Sequence, residues 1–464
     1  MRKAFFFVLT AHLATGQEIP DTAAGRQAAA FLEVFNRGDR DALDRHLREQ
    51  FAAERRPDVD GLMRFRGMTG GFELKKIESA TATDIAAIVK ERDSDQFGRL
   101  TLAVEAAPPH RVTRFGVLAV PPPPGLEITR LGEKEAIDAL GRHAAAAAAR
   151  DAFAGAVLVA RSGKIVFTGA WGLADREKKL PLKLDTRFNL GSMNKMFTAV
   201  AVARLAEQGK LRYTDTVGAH LGDYPQKEVA AKVTIHHLLT HTGGTGDIFG
   251  PQFGPNIEKL RNPADYLALY GSRAPAFEPG ARFAYSNYGF VLLGAIIEQV
   301  TGKSYYDAIR ELVYVPAGMK RSDSFWKNED TPNLAKGYTG PERKDNYDSR
   351  PMRGSPAGGG YSTVEDLERF AAAVLTGRLV KPETVALLTT AKGDRQDGAG
   401  YGYGFGESLT GGVRGFGHGG GAPGINAELM IMPASGYVVA AMSNLDPPAA
   451  TRVVRFVAAR LPAR

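Results

Sequence analysis

The sequence predicts a two-domain protein of mixed α and β structure, in which a small α+β domain precedes a large α/β (α+β) domain. Its 464 residues correspond to about two or three domains at roughly 150 residues each. Residues 121–125 read Pro-Pro-Pro-Pro-Gly and can neither continue a helix nor pair inside a sheet, which indicates a linker. Hydrophobic residues make up 44% of the chain and charged residues 24%, which excludes a disordered or fibrous chain. We therefore predict domains at residues 17–120 and 126–464.

The composition excludes several kinds of chemistry. The chain has no cysteine, so disulfides, thiolate metal sites, a Cys nucleophile and a lipid-modified N-terminal Cys are excluded. Any covalent nucleophile must therefore be an oxygen or an amine. The formal net charge is +8, but no basic run exceeds two residues. We expect a solvated basic surface and no nucleic-acid partner.

Residues 1–16 have the pattern of a secretory signal peptide. A basic start, Met1-Arg2-Lys3, leads into a short apolar run that ends at small residues in Ala14-Thr15-Gly16, the arrangement that signal peptidases cleave. Elsewhere no apolar run reaches eighteen residues, so no integral membrane association is expected. The sequence predicts a periplasmic or secreted protein.

The small domain is predicted to contain two helices followed by an antiparallel meander. Ala28, Phe31 and Phe35 recur at helical spacing in the first helix, and Asp41 is expected to cap the second. Short segments rich in Val, Ile, Leu and Phe predict the strands; these segments are 72–77, 84–91, 99–105 and 111–120.

This pattern resembles the cone of nuclear transport factor-type and polyketide-cyclase-like domains, which can enclose a ligand. Within it, His46 or His110 with Asp60 would be the residues for an acid–base pair. No spacing supports such a pair, and we expect a structural or accessory role for this domain.

The large domain is predicted to form one sheet from strands at both of its ends, with helices between them. The predicted helices cover 133–150, a helix-rich region at 192–317 and 449–459; the predicted strands cover 155–160, 164–170, 427–432 and 437–442.

Ser192 and Lys195 form the first candidate catalytic element. They lie in Gly-Ser-Met-Asn-Lys at 191–195, where a strand-like segment gives way to an apolar helix. A lysine three residues after a serine lies on the same helical face and can act as its base. The helix N-terminus favours loss of the amine's proton and development of an oxyanion.

Two further elements follow in the chain. Tyr285-Ser286-Asn287 offers a phenol that can relay a proton and an amide that can orient a substrate. Residues 416–421, Phe-Gly-His-Gly-Gly-Gly, precede a predicted strand and offer His418 and flexible backbone N–H groups. The three elements have the order of S-x-x-K, S-D-N and K-T-G in β-lactamases and penicillin-binding proteins.

From about residue 126 to 464 the chain resembles the serine hydrolases related to class C β-lactamases, a family that includes D-alanyl peptidases, D-aminopeptidases and esterases. Other stretches, at 155–160, 234–243, 285–289 and 358–363, also look like signatures of this family. The resemblance implies a β-lactamase/transpeptidase-like sheet flanked by helices, with a helical lobe and the active site between the two.

The resemblance also implies roles for individual residues in acylation, substrate binding and stabilisation of the oxyanion. Ser192 would be the acylated nucleophile, Lys195 its base and Tyr285 the proton relay; Asn287, His418 and Gly420 would bind substrate; the N–H groups of Ser192 and Gly421 would form the oxyanion hole.

Two departures from class C β-lactamases affect the expected substrate. Tyr-Ser-Asn stands where Tyr-Ala-Asn is usual, which should leave the Tyr and Asn roles intact. His418 stands where β-lactamases carry a lysine, and a largely neutral imidazole binds a carboxylate less reliably than an ammonium. An ester, or an amide or D-residue peptide, is therefore a better expected substrate than a β-lactam.

Other motifs are interpreted as structural. His237 and His241 have the spacing of a helical zinc pair beside His236, but H-E-x-x-H is absent. Residues 415–420 match G-x-G-x-x-G but precede a strand, which is atypical of a dinucleotide site. No metal or cofactor is predicted. Five aromatic residues are expected in the core, although an apolar acyl pocket is the alternative; they are Trp171, Phe249, Phe253, Trp326 and Tyr403.

The sequence thus predicts a metal-independent serine hydrolase that acts through an acyl-enzyme on a small molecule or peptide. The alternatives are a β-lactamase, a penicillin-binding DD-peptidase, an acyltransferase, and a non-catalytic cell-wall-binding protein of the same fold. The oligomeric state has no signal in the sequence.

Overall fold

A computed structural model describes residues 18–393 and 399–464. The chain divides into two compact units, Met1–Ile128 and Thr129–Arg464, just beyond the predicted linker at 121–125. The predicted signal peptide, residues 1–16, lies outside the described residues. Among the described residues, no helix has both the length and the apolar character needed to cross a membrane.

Within residues 18–128, the first unit has three α-helices and a four-stranded antiparallel meander in the order β1-β2-β3-β4. Helix α1 begins because Thr22 caps it and ends because Gly38 adopts a left-handed conformation. Its Phe31 and Phe35 are fully buried in the core of this unit. The elements are α1 Ala23–Arg37, α2 Arg40–Gln50, α3 Val59–Thr69, β1 Phe72–Ala80, β2 Asp84–Glu91, β3 Phe97–Val104 and β4 Val112–Val120.

The first unit differs from expectation in its helices. Asp39, and not Asp41, caps α2, because its side chain accepts the N–H groups of Asp41 and Ala42. Helix α3 was not predicted; it buries only Leu62 and Thr69, so its hydrophobic periodicity is weak.

The candidate acid–base residues of the first unit do not meet. His46 is buried beside the rings of Phe31 and Phe51, and burial lowers the pKa of His46. Asp60 is instead at the surface, where it forms an ion pair with Arg40. His46 and Asp60 therefore do not form a catalytic pair, and the Nδ1 of the alternative, His110, contacts the Glu105 carbonyl at 2.9 Å.

Within the described residues, the second unit has a seven-stranded antiparallel sheet in the order β13-β14-β15-β16-β17-β5-β6. Strands β5 and β17, from the two ends of this unit, pair side by side, which confirms the expected sheet. Its strands are β5 Gly155–Arg161, β6 Lys164–Trp171, β13 Gly400–Tyr401, β14 Gly406–Thr410, β15 Val413–Ala422, β16 Ile425–Met432 and β17 Tyr437–Ser443; short strands elsewhere are β7 Leu173–Asp175, β8 Leu180–Pro181, β9 Phe188–Asn189, β10 Tyr338–Thr339, β11 Lys344–Asp345 and β12 Tyr361–Ser362.

Helices cover the sheet and build a helical lobe. All seven residues of β17 are buried, so both faces of the sheet are covered at this strand. Helices α4 and α16 pack on the sheet and on each other, α14 packs on β5 and β17, and α11 packs on α5, α8, α10 and α12. The helices are α4 Glu133–Ala149, α5 Asn194–Glu207, α6 Val217–His220, α7 Lys227–Lys232, α8 Ile235–Leu239, α9 Phe253–Asn256, α10 Pro263–Tyr270, α11 Asn287–Thr301, α12 Tyr305–Ile309, α13 Val315–Ala317, α14 Val364–Leu375, α15 Pro382–Thr389 and α16 Ala449–Ala458.

The glycine-rich segment 416–421 precedes strand β16, as the sequence predicts, but it is itself part of strand β15, which the sequence does not predict. Glycine is disfavoured in strands, which explains why β15 was missed. Here close packing requires it: a Cβ on Gly420 would lie 1.8 Å from the Leu190 carbonyl oxygen. The segment therefore lies in the sheet directly beside the Ser192 turn.

Candidate active site

Ser192 lies on a tight turn that leads into helix α5. The turn is a short 3₁₀ helix, Gly191–Met193, so the serine stands just before the α-helix proper. Gly191 has a φ of +51°, and a Cβ there would lie 2.9 Å from the Gly421 nitrogen. Only glycine satisfies both conditions without strain.

Neighbouring segments hold this turn on two sides. The Leu190 N–H donates to the Gly360 carbonyl at 2.7 Å, and the Gly359 N–H donates to the Gly191 carbonyl at 3.2 Å. Strand β9 pairs with β12, which places Tyr361 opposite Asn189. Backbone hydrogen bonds therefore fix the position of the serine.

The backbone of β15 lies against the predicted nucleophile. A Cβ on Gly420 would lie 3.2 Å from the Ser192 nitrogen, so only a bare backbone fits here. Ser192 and Gly421 line the same cleft. Their role as the two N–H donors of an oxyanion hole stays a prediction of the sequence, and their place on one cleft is consistent with it.

Replacing Gly420 with alanine is expected to displace β15 from the serine turn, because the new Cβ overlaps the Leu190 carbonyl oxygen. We expect a loss of about 1–3 kcal/mol in the free energy of unfolding and a decrease in kcat of about tenfold or more. Urea unfolding and initial rates on a chromogenic ester measure both. The control is Gly222→Ala, whose Cβ would meet no atom within 4 Å; equal behaviour of the two variants would contradict this packing.

Lys195 is fully buried, and this burial lowers the pKa of its amine to about 7, although the charge of Asp247 opposes the shift. Its Nζ donates at 2.7 Å to Asn287 Oδ1 and at 2.7 Å to the Ala357 carbonyl. A neutral amine has two N–H bonds and one lone pair. Both N–H bonds are therefore used, and the lone pair is left to accept a proton.

The ring of Tyr285 packs over the lysine amine. Lys195 Nζ lies 4.8 Å from the centroid of this ring, and the residue as a whole is 39% exposed. Burial raises the pKa of Tyr285 to about 12, although a hydrogen bond with Ser192 lowers it. At neutral pH the residue is a phenol that can donate and accept a proton, as its predicted relay role requires.

Both the oxygen and the nitrogen of the Asn287 side-chain amide form hydrogen bonds. Oδ1 accepts from Lys195, and Nδ2 donates to the two carboxylate oxygens of Asp247 at 2.9 and 3.1 Å. Asp247 thereby fixes which end of the amide faces the lysine. In this arrangement Asn287 positions Lys195, and because Asn287 also lines the cleft beside Ser192, its contact with substrate stays a prediction.

Sequence reasoning missed Asp247, although the preceding run Thr-Gly-Gly-Thr-Gly marks a tight loop. It also missed that Ser286 caps helix α11: its hydroxyl accepts the Gly289 N–H at 2.9 Å and donates to the Gly246 carbonyl at 2.5 Å. The serine in Tyr-Ser-Asn thus joins the α11 N-terminus to the Asp247 loop.

His418 is uncharged in this site. Burial and the nearby Lys195 lower the pKa of His418 to about 4. Its Nδ1 donates to the Gly419 carbonyl at 2.5 Å, and its Nε2 accepts from the Tyr401 hydroxyl at 3.0 Å. In this arrangement it offers no cation to a substrate carboxylate, in line with the weak carboxylate binding expected of a neutral imidazole.

His241 has a structural position. Its Nδ1 accepts the Ser286 N–H at 3.1 Å, and its ring packs 4.2 Å from that of Tyr285. The backbone φ of +58° at His241 places it beyond the end of helix α8, which carries His236 and His237. Among the described residues, no cluster of three or more His, Cys, Asp or Glu residues is suited to hold a metal.

The rate of acylation is expected to rise with pH through the pKa of Lys195. Only the neutral amine can accept a proton, so kcat/KM should increase between about pH 5.5 and about 8 with an apparent pKa near 7 and then level off. Tyr285 stays protonated throughout. Initial rates on a neutral ester across this range test the expectation; a profile that falls as the pH rises would contradict it.

A cleft with a cavity volume of about 120 Å³ opens beside Ser192. Phe249 and Phe253, two of the five aromatic residues singled out above, line it. Trp171 packs against the core and Tyr403 lies within it, while Trp326 packs on Arg353. The cleft is thus apolar on one side and has the serine turn on another.

The fold and this Ser-Lys-Tyr arrangement define the class of serine hydrolases with a β-lactamase/transpeptidase-like fold. A family model described as Beta-lactamase matches residues 140–464, which is most of the chain. The chain belongs to the β-lactamase family, whose members include penicillin-binding proteins, esterases and D-aminopeptidases.

The relatives that match this chain are named for different activities. The chain is 38% identical over 173 residues to a penicillin-binding protein of Bacillus subtilis (strain 168), covering 37% of this chain and 38% of the relative. It is 35% identical over 177 residues to Esterase EstB of Burkholderia gladioli, covering 35% of this chain and 45% of the esterase. The chain thus spans less than half the length of these two relatives.

Solved structures show the same fold. A penicillin-binding protein from Bacillus halodurans matches with a TM-score of 0.63 at 30% identity, over 68% of this chain and 98% of that one. A D-stereospecific amidohydrolase from Streptomyces sp. matches with a TM-score of 0.59 at 28% identity, over 68% of this chain and 96% of that one.

Proposed function

We propose that this protein is an active serine hydrolase that forms an acyl-enzyme on Ser192. The observation that carries the proposal is the buried Lys195, whose amine has a pKa near 7 and two N–H bonds already in use. A binding protein has no need for a lysine that is costly to bury. An enzyme needs it as a base at neutral pH.

The proposed reaction has two halves. Ser192 Oγ attacks the substrate carbonyl, its proton passes to Lys195 Nζ, and the oxyanion is stabilised by the N–H groups of Ser192 and Gly421. The proton then passes through Tyr285 to the leaving alcohol or amine, which departs and leaves the acyl ester. Water attacks this ester, a proton returns to Ser192, and the acid is released.

We propose an ester as the first substrate class and an amide or D-residue peptide as the second. The neutral His418 supports this order, because it lacks the cation that β-lactamases place at this position. Relatives named as an esterase and a D-stereospecific amidohydrolase also support it. The apolar side of the cleft, with Phe249 and Phe253, suits an aliphatic acyl group.

A panel of donors tests the proposal. Purified protein is given 4-nitrophenyl butyrate, D-alanine 4-nitroanilide and a chromogenic cephalosporin, and kcat/KM is measured for each. We expect the ester to be hydrolysed fastest and the cephalosporin slowest. Fastest turnover of the cephalosporin would contradict the proposed substrate class, and turnover of none would favour the non-catalytic alternative.

We also propose, from the pattern of residues 1–16 and of the small domain alone, an exported protein in which residues 17–120 form an accessory domain with a nuclear transport factor-like cone. Mass analysis of the N-terminus after expression in a Gram-negative host tests export. Cleavage after residue 16 supports it, and an intact N-terminus on cytoplasmic protein contradicts it.

A further inference from the structure

Three cationic side chains lie on the wall of the cleft that contains Ser192. They are Lys327, Arg350 and Arg353. Because His418 is neutral and already bonded, these cations are candidates for recognition of an anionic substrate group. The three cations differ in how many of their charges and hydrogen-bond donors are already paired within the protein.

Two of the three are satisfied by the protein. The Lys327 side chain is only 3% exposed and forms an ion pair with Glu258 at 2.5 Å. The Arg353 guanidinium stacks 3.4 Å from the ring centroid of Tyr306 and donates through Nε to the Ser324 carbonyl at 2.7 Å. Neither is the best candidate for an external anion.

Arg350 is less well satisfied. One terminal nitrogen, Nη1, donates to the Tyr361 hydroxyl. Its Nε is buried and has no hydrogen-bond partner among the described residues, and the guanidinium contacts the Tyr361 hydroxyl and the Tyr347 ring but no carboxylate of those residues. A half-buried guanidinium without a counter-ion is costly, and a substrate anion would offset this cost.

The position of Arg350 is coupled to the serine turn. Its partner Tyr361 pairs through the backbone with Asn189, and the Asn189 side chain accepts the Gly191 N–H at 2.9 Å. The contacts therefore run from the guanidinium to the residue before Ser192. An anion held at Arg350 would have a fixed relation to the nucleophile.

We propose that Arg350 binds a carboxylate on the substrate and so determines a preference for acyl donors with an apolar body and one anionic group. The apolar body would contact the Phe249 side of the cleft, and the carboxylate would take the unused hydrogen-bonding capacity of the guanidinium. This inference rests on the proposed function, since it concerns the substrate of the same serine.

Two pairs of esters test the preference. In the first pair, 4-nitrophenyl hexanoate is compared with mono-4-nitrophenyl adipate, which places a carboxylate at the end of the acyl chain. In the second, phenyl hexanoate is compared with 3-carboxyphenyl hexanoate, which places it on the leaving group. We expect wild type to prefer the anionic member of at least one pair, and the pair identifies the side on which the carboxylate binds.

Variants at Arg350 decide whether this residue is responsible. Arg350→Gln should reduce kcat/KM for the preferred anionic ester about tenfold or more relative to its effect on the matched neutral ester. Arg350→Lys should recover part of the loss, because it keeps the charge. The matched control is Arg142→Gln, at an exposed residue of helix α4. Equal losses on both esters, or no preference in wild type, would overturn the inference.

A binding measurement separates this inference from the proposed function. If wild type hydrolyses no ester, the proposed function fails, and calorimetry on Ser192→Ala with phenyl hexanoate, monophenyl adipate and 3-carboxyphenyl hexanoate then tests the inference alone. Tighter binding of either monoanion that is lost in Ser192→Ala/Arg350→Gln would support it. Equal binding of all three esters would overturn it.

Discussion

Replacing Ser192 with alanine is expected to reduce kcat by a factor on the order of 10⁴ or more for any ester or amide that the wild type hydrolyses. The variant retains the cleft, the backbone N–H groups and Lys195 but has no oxygen that can be acylated. Its Tm should stay close to that of wild type, because only one small hydroxyl is removed from the turn. Steady-state rates and thermal unfolding measure the two effects.

The control for this variant is Ser272→Ala, at an exposed serine of the same unit. It should keep wild-type rates within about twofold. Retention of more than a tenth of the activity by Ser192→Ala would show that another nucleophile acts in this protein.

Replacing Lys195 with methionine is expected to reduce kcat/KM by roughly 10²–10⁴. Methionine fills a similar volume but cannot accept the serine proton. Lys195→Arg is the informative second variant, because arginine keeps a positive charge that it cannot lose near neutral pH. Lys195→Arg should therefore be as inactive as Lys195→Met, and substantial activity in the arginine variant would contradict a role as base.

The same lysine makes stability depend on pH in a definite direction. Its pKa is about 7 in the folded protein and 10.5 ordinarily, so the unfolded chain binds more protons between these values. The contribution of Lys195 to the free energy of unfolding therefore increases with pH between these two pKa values. The free energy of unfolding of wild type relative to Lys195→Met should increase by about 3 kcal/mol between pH 7 and about pH 9.5.

Urea unfolding of both proteins at the two pH values measures this change. Only the difference between the proteins is used, because other groups titrate equally in both. A difference that does not change with pH, or that decreases as pH rises, would show that the amine is not held neutral in the folded state.

The main features of the fold could be predicted from local patterns. Strong periodicity predicts α1 and α16, and unbroken apolar runs predict β5 and β17, because burial determines both patterns. The sequence does not predict strand β15, because glycine has a low β-propensity. The glycine at 420 is required instead by close packing against the Leu190 carbonyl. Helix α3 is not predicted because few of its residues are buried, so its sequence has only a weak apolar periodicity.

The site was predictable where its residues lie in one short segment. Ser192 and Lys195 lie three residues apart, and Tyr285 and Asn287 lie two apart, so spacing alone indicates them. Asp247 and Tyr401 act on residues that are distant in the chain, and only the folded structure brings them to Asn287 and His418. Long-range contacts of this kind leave no periodicity in a single sequence.

The charge state of His418 could likewise be derived only from the folded structure. An isolated histidine has a pKa near 6.5, but burial beside Lys195 lowers the pKa of His418 to about 4. Sequence reasoning anticipated weaker carboxylate binding than that of a lysine. It had no means to anticipate that Arg350 lies on the cleft wall without a carboxylate partner among the described residues.

The central claim is that Ser192 becomes acylated, and rapid acid quench of wild type with 4-nitrophenyl butyrate, followed by intact-mass analysis and peptide mapping, tests it most directly. The claim predicts a mass increase of one butyryl group on the peptide that contains Ser192, and no such increase in Ser192→Ala. Release of 4-nitrophenol with no adduct at any quench time, or an adduct on another residue, would contradict it.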